Sequence, residues 1–170
     1  MRRPWCGRGP GAPLGLLFLL LVQTVAASIV QGATTRSQTL TIVVSAINEL
    51  AVSGVVAPLV VSTVPAPGSE PSAATDSSTA YSLTTNSSTP KAVTAVLNQN
   101  MPAGVTLSIA LQSPPGSSPG DVALSTTAQN VLTGVSQTVG SSRSISYTLS
   151  ALVAAGVVSA TSRTVTLTLQ

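Results

Sequence analysis

The feature that most constrains the fold of this chain is an apolar residue at every second position, repeated through much of its length. In residues 105–111 every odd position is large and apolar, and every even position is small or hydroxylated. The same alternation recurs in residues 144–150 and 164–169 and, apart from Val43, in residues 39–44. Because successive side chains of a strand point to opposite faces, each segment is predicted to be a β-strand with one buried and one wetted face.

Turn-forming segments separate these strands from others that are predicted on weaker alternation. Residues 65–76, 98–104 and 113–120 are rich in proline, glycine, serine or asparagine, which punctuate regular structure. No segment has a helical stripe, and residues 151–156 are predicted to form one helical turn at most. The further predicted strands are residues 50–53, 55–63, 79–85 and 92–97 and a segment around Val131.

Short strands at this spacing predict an all-β fold. We expect an immunoglobulin-like antiparallel β-sandwich of about seven to nine strands in a single domain over residues 34–170. A small β-barrel is the alternative, because its strands alternate in the same way. The similar patterns of residues 38–42 and 163–167 are explained by two alternating strands. A sharper interpretation places these terminal strands at sheet edges, where exposed backbone groups can pair with another chain.

The N-terminus has the three parts of a secretory signal peptide. A positively charged stretch over residues 1–13 precedes an apolar run over residues 14–22, and small residues follow it. Cleavage after Ala27 or Ala33 fits the pattern, so residues 1–33 are predicted to be removed. The apolar run is shorter than the roughly 20 residues that span a bilayer, and an uncleaved anchor would have to bury two polar residues. We therefore expect a protein that is secreted or extracytoplasmic, in the periplasm or at the cell surface, and free of the membrane after cleavage.

The charge pattern argues against nucleic acid as a partner. The net charge of +3 comes from three arginines in the predicted signal peptide, and the four basic and four acidic residues that follow cancel. Binding to a phosphate backbone needs clustered lysine and arginine. Cys6, the single cysteine, also lies in the signal peptide, so no disulfide is expected in the mature chain.

The sequence predicts no catalytic, cofactor-binding or metal-binding residues. It has no histidine, which removes the usual general base and the partner of a nucleophilic serine. Lys91 is the only lysine, and no motif around it indicates a Ser-Lys nucleophile pair. The mature carboxylates are Glu49, Glu70, Asp76 and Asp121, of which the last three are predicted to lie in loops. An enzyme would need two of them to face each other across a cleft, and nothing in their spacing indicates this.

The remaining polar candidates have structural explanations. Tyr81 and Tyr147 are the only aromatic residues after the signal peptide, and each lies in an alternating segment. We predict core tyrosines whose hydroxyls reach a loop rather than stacking platforms for a ligand. Asn86 begins an Asn-Ser-Ser match to the glycosylation motif, which serine-rich chains often contain by chance. The amides of residues 98–100 are explained by a turn.

Three segments together resemble a known class of protein. Residues 48–54, 76–83 and 147–149 are similar to small secreted bacterial sandwich proteins of the pilin-like and spore-coat-U-like kind. The resemblance is one of pattern: a tyrosine-containing strand after a polar loop, then alternating threonine-rich strands. It implies a structural or assembly role at the cell surface. This chain departs from many of those proteins by lacking a cysteine pair.

These observations favour a non-enzymatic, extracytoplasmic structural or interaction protein. It would act by β-edge or loop contacts at the cell surface, with another protein or a second copy as partner. The alternative is a carbohydrate- or surface-binding module that uses the loops at residues 65–76 and 113–120. The scarcity of aromatic residues counts against that alternative.

Overall fold

The computed structural model describes residues 35–170, which fall in two units, one ending at Ile42 and the other spanning Val43–Gln170. In the first unit, residues 35–42 contain no regular element and are exposed. The second unit forms eight strands and one short 3-10 helix, Val153–Ala155. In chain order the strands are β1 (Asn48–Ser53), β2 (Ala74–Thr85), β3 (Lys91–Leu97), β4 (Val105–Leu111), β5 (Val122–Ala123), β6 (Gln129–Val135), β7 (Thr138–Ala151) and β8 (Val165–Leu169).

The strands form two antiparallel sheets. Five strands are ordered β1-β2-β7-β4-β5, and three are ordered β6-β3-β8. The predicted β-sandwich is therefore confirmed, with a strand number inside the expected range. The barrel alternative is wrong for residues 43–170, because each sheet ends in strands that pair on one side only. The sharper interpretation is confirmed for β8, which is such an edge strand, and is wrong for residues 38–42, which form no strand.

The core is built from the inward positions of the alternating segments. Ile109 and Ile145 from the five-stranded sheet and Val93 and Leu132 from the three-stranded sheet have no exposed surface. The residues that flank Ile109 and Ile145 on the opposite faces are small or hydroxylated, as in the sequence pattern, whereas Val131 beside Leu132 is also buried. Full burial of one such side chain contributes about 1.5–3 kcal/mol, so the alternation accounts for both the strands and their shared core.

The predicted strand at residues 39–44 is wrong. Leu40 and Ile42 are 78% and 77% exposed, and the chain enters regular structure only at Asn48. The local alternation is present, but this segment pairs with no strand among the described residues. An isolated strand leaves its backbone groups unpaired, so its pattern alone does not make it part of a sheet.

The predicted strand at residues 55–63 is also wrong. Gly54 has a positive φ of 90° and turns the chain beyond β1. Pro58 then lacks the N–H that a ladder requires. Instead of a ladder, Val55 O accepts a hydrogen bond from the Ser78 hydroxyl at 3.1 Å, and Thr63 O accepts one from Ser72 N at 2.8 Å.

Other boundaries differ by smaller amounts. β2 begins at Ala74 rather than at residue 79, and β5 was not predicted because two residues are too few for a recognisable alternation. The helical turn expected within residues 151–156 is confirmed by the 3-10 helix. The predicted signal peptide, residues 1–33, lies outside the described residues.

None of the helical segments found between residues 35 and 170 has the length and apolar character needed to cross a membrane.

Candidate functional site

The outer edge of β8 offers unpaired backbone groups. Gln170 and Ala92 exchange N–H···O bonds of 2.9 Å, and Asn98 N donates to Thr164 O at 3.0 Å. Hydrogen-bonded pairs alternate along an antiparallel ladder, so residues 164, 166, 168 and 170 bond β3. The N–H and C=O groups of Val165, Leu167 and Leu169 therefore point away from β3. Among the described residues no backbone or side-chain hydrogen bond reaches them from the other side.

The side chains of these same residues lie over the core but are incompletely covered. Val165, Leu167 and Leu169 pack against the hydrophobic cluster and are only partly buried. On the neighbouring strand, Val93 and Leu97 are 0% and 2% exposed. The difference follows from position, because an edge strand has a covering neighbour on one side only. β8 thus combines an open hydrogen-bonding edge with an incompletely covered apolar row.

Two asparagines predicted to be turn residues hold the start of β8. The Asn98 side-chain oxygen accepts a hydrogen bond from Thr164 N at 2.9 Å. The guanidinium Nε of Arg163 donates to Asn100 O at 3.1 Å. Asn100 Oδ1 also accepts from Thr126 N at 3.1 Å. These bonds fix the backbone immediately before β8. They therefore hold the first residue of β8 in position beside β3.

The edges at β5 and β6 are guarded. β5 contains two residues, and very short edge strands template little pairing. On β6, Thr133 exchanges backbone hydrogen bonds of 2.8 and 2.9 Å with Ser117. Gly116 permits this close approach, because a Cβ there would lie 2.4 Å from Thr133 O. The loop at residues 113–120 therefore covers part of the β6 edge.

The β1 edge is guarded less completely than β6 but more than β8. Its outward side chains include Glu49, a charge of the kind that discourages edge pairing. Inward, Leu50 is partly buried and Val52 is 51% exposed. By contrast, β8 has no charged residue and no proline between Val165 and Leu169. Of the four edge strands formed by residues 43–170, β8 is the least protected.

Two of the four mature carboxylates, Glu70 and Asp76, accept hydrogen bonds from backbone N–H groups. Glu70 accepts a hydrogen bond from Val153 N at 2.6 Å, which ties its loop to the 3-10 helix. Asp76 Oδ1 accepts from Ser78 N and from the Ser78 hydroxyl at 3.1 and 2.7 Å. The Ser78 hydroxyl lowers the pKa of Asp76. The loop prediction for Asp76 is wrong, because this residue lies in β2 at an irregularity in the pairing with β7.

The other two carboxylates and the lysine lie apart in the architecture. Glu49 is on β1, Asp121 precedes β5, and Lys91 begins β3 opposite Val135. Within residues 35–170 no three metal-ligating side chains come together. The structure brings none of these groups into the β8 edge.

Asn86, the predicted glycosylation match, has both ends of its amide engaged. Its Nδ2 donates to Ser45 O at 2.7 Å, and its Oδ1 accepts from Ile47 N at 2.8 Å. These two bonds hold the chain just before β1 against the end of β2. The nitrogen that a glycan would occupy therefore already has a structural partner.

The two tyrosines are core residues, as predicted. Tyr81 has no exposed surface, and its hydroxyl donates to Gln112 O at 2.6 Å just beyond β4. Tyr147 is 7% exposed and lies on β7. Burial raises the pKa of both phenols. Neither ring is available as a flat platform for a ligand.

The loops proposed for a carbohydrate surface do not line two depressions of the described surface. One depression of about 410 Å³ follows residues 48–51 and 82–84, and another of about 340 Å³ follows residues 85–86 and 137–139. Both are shallow. The loops at residues 65–76 and 113–120 contribute no side chain to either depression.

The sequence signal for the β8 edge was its alternation combined with the absence of a guarding charge. What sequence reasoning missed is that residues 39–44, which carry the same alternation, stay outside the sheets.

No family model, curated protein or solved structure matches this chain.

Proposed function

We propose that this protein is a non-enzymatic, extracytoplasmic structural or interaction domain that associates by β-edge pairing. The single observation that supports this best is the open β8 edge, where Val165, Leu167 and Leu169 present unpaired backbone groups above a partly covered apolar row. Strand addition gains main-chain hydrogen bonds for affinity and side-chain packing for specificity. The other edges are shorter, charged or covered by a loop.

Val165 gives the sharpest test of edge pairing. Its N–H points to the open side, so Val165→Pro removes an outward donor without breaking a bond to β3, and proline is tolerated at the first residue of a strand. Val165→Ala is the matched control, because it also shortens the side chain but keeps the N–H. The mature protein would be isolated from its own cells and sized by native chromatography.

We expect the natural protein and Val165→Ala to elute as assemblies and Val165→Pro to elute as a smaller species. A second variant, Thr166→Lys, adds a guarding charge at the edge without touching the core, and it should also reduce assembly. Circular dichroism would check that each variant is folded. A natural protein that elutes as a monomer at high concentration and captures no partner contradicts the proposal.

A further inference from the structure

Two buried polar groups in the five-stranded sheet have no hydrogen-bond partner among the described residues. The Thr79 hydroxyl and the guanidinium Nε of Arg143 are both shielded from solvent, and neither is bonded. Thr79 as a whole is 3% exposed, and Arg143 is partly buried. A buried polar group without a partner costs free energy, and a charged group costs more. Since most buried polar groups in folded proteins are paired, these two need an explanation.

The two groups are diagonal neighbours on one face of a strand pair. In the register of β2 and β7, Thr79 lies opposite Ile145, and Tyr81 lies opposite Arg143. Tyr81 and Ile145 have no exposed surface. Residues two apart on a strand share a face, so all four positions belong to the inward face. Diagonal positions lie about 7–8 Å apart, within reach of long side chains.

The Tyr81 phenol lies near the guanidinium but does not bond to it. Burial raises the pKa of Tyr81, and the positive charge of Arg143 lowers it by a smaller amount. The Tyr81 hydroxyl donates to Gln112 O at 2.6 Å. This phenol therefore leaves the Arg143 Nε without an acceptor.

The carboxylates of residues 35–170 do not supply the acceptor either, because none is bonded to the Arg143 Nε. Glu70 and Asp76 accept hydrogen bonds from other residues. Glu49 lies on β1 and Asp121 precedes β5, and neither of these strands pairs with β7. The two unpaired groups thus share a need for one small acceptor, and the guanidinium also needs a negative charge.

We propose that Thr79 and Arg143 bind one inorganic anion of the size of chloride, each donating one hydrogen bond to it. A monatomic anion accepts hydrogen bonds from any direction, so it can join donors on neighbouring strands. Its charge offsets the cost of withdrawing the guanidinium from water. The depth of Thr79 disfavours a larger oxyanion. The site is independent of the proposed β8 edge, since β2 and β7 lie in the other sheet.

Urea unfolding of the mature protein measures the binding. Sodium chloride would replace sodium gluconate at constant sodium and constant protein concentration. A ligand that binds only the folded state raises the folding equilibrium constant about tenfold for each tenfold rise in its concentration above the dissociation constant. We expect this dependence on chloride in the natural protein. Equal stability in the two salts overturns the proposal, because general ionic screening is the same in both.

Two variants locate the effect at the proposed site. Thr79→Val keeps the shape of the side chain and removes its donor, and Arg143→Gln removes the charge. Both should lose the gain in chloride, and in gluconate Thr79→Val should be no less stable than the natural protein, because an unpaired buried hydroxyl is itself costly. Thr106→Val and Arg36→Gln change exposed residues and are the matched controls that should keep the gain. A gain that persists in Thr79→Val would place the binding elsewhere and overturn the proposal.

Bromide gives the position of the anion directly, because it can replace chloride and scatters X-rays anomalously. Crystals of the mature protein grown with sodium bromide should show an anomalous peak within hydrogen-bond distance of both Thr79 Oγ1 and Arg143 Nε. Crystals of Thr79→Val should lack this peak. Density at that place without an anomalous signal would identify a water molecule and overturn the proposal.

Discussion

Tyr81 shows how a single side chain joins the core to a chain segment beyond the sheet. Its ring has no exposed surface, and its hydroxyl donates to the carbonyl oxygen of Gln112, 31 residues later. A buried hydroxyl without a partner costs free energy, so the bond is what allows this ring to be buried. Tyr81 thereby fixes where the chain leaves β4 and starts the loop at residues 113–120.

The raised pKa of Tyr81 predicts a loss of stability at alkaline pH. Burial favours the neutral phenol, so the folded pKa lies above the ordinary value of 10.0. The corresponding stability is complete below pH 10.0, and it is lost as the pH rises through the folded pKa. Urea unfolding between pH 8 and pH 11 should therefore show a falling midpoint.

Tyr81→Phe tests the origin of this alkaline loss. The variant should lose about 0.5–1.5 kcal/mol at pH 7, because the bond to Gln112 is absent. Its unfolding midpoint should fall less between pH 8 and pH 11 than that of the natural protein. Tyr147 remains and retains its own contribution, since burial raises its pKa too. Equal alkaline losses in the two proteins would show that Tyr81 does not carry the effect.

At the scale of elements, the edges of the two sheets determine what the molecule exposes. β5 is short, β1 carries Glu49, and the loop at residues 113–120 bonds to β6. β8 is five residues long, carries no charged residue and has no loop bonded to its outer edge among the described residues. Free edges can pair with other chains unless they are guarded, and β8 is the edge that differs from the other three in this respect.

Gly116 is predicted to be essential for guarding β6. Its φ is 70°, and a Cβ would lie 2.4 Å from Thr133 O. Gly116→Ala should lower the free energy of unfolding by about 1–3 kcal/mol, because both the strained backbone and the clash must be relieved. Gly120→Ala is the control: its φ is 87°, but nothing lies within 4 Å of the added Cβ.

Urea unfolding of both glycine variants gives the measurement. Gly120→Ala should show only the cost of the backbone conformation, which is the smaller effect. A Gly116→Ala protein no less stable than Gly120→Ala would mean that the loop is not held against β6 in solution.

At the scale of the whole molecule, the signal-peptide pattern predicts export. The lack of any cysteine after Cys6 predicts a sandwich core without disulfides. The charges that make the full chain basic belong to residues 1–33, and the remainder is neutral overall. Intact-mass measurement of the protein recovered outside the cytoplasm should give a chain beginning at Ser28 or Thr34, after cleavage behind Ala27 or Ala33. Recovery of the full-length mass in a membrane fraction would contradict the signal peptide.

By itself, the sequence determined the strand character, the inward and outward faces and the exclusion of histidine chemistry. These follow from local properties, because alternation fixes which side chains share a face of a strand. The tyrosines and the residues of β4 could be placed in the core for that reason. Asn98 and Asn100 were recognisable as turn residues, although their bonds to residues 126, 163 and 164 were not.

Only the tertiary structure decided which alternating segments find partners. Residues 39–44 and 164–169 have nearly the same pattern, yet the first lies outside the sheets and the second forms β8. The difference depends on pairing between distant residues, such as Thr94 with Thr168, which no local pattern encodes. Alternation makes a segment able to form a strand, but only a neighbour that satisfies its backbone groups makes it one.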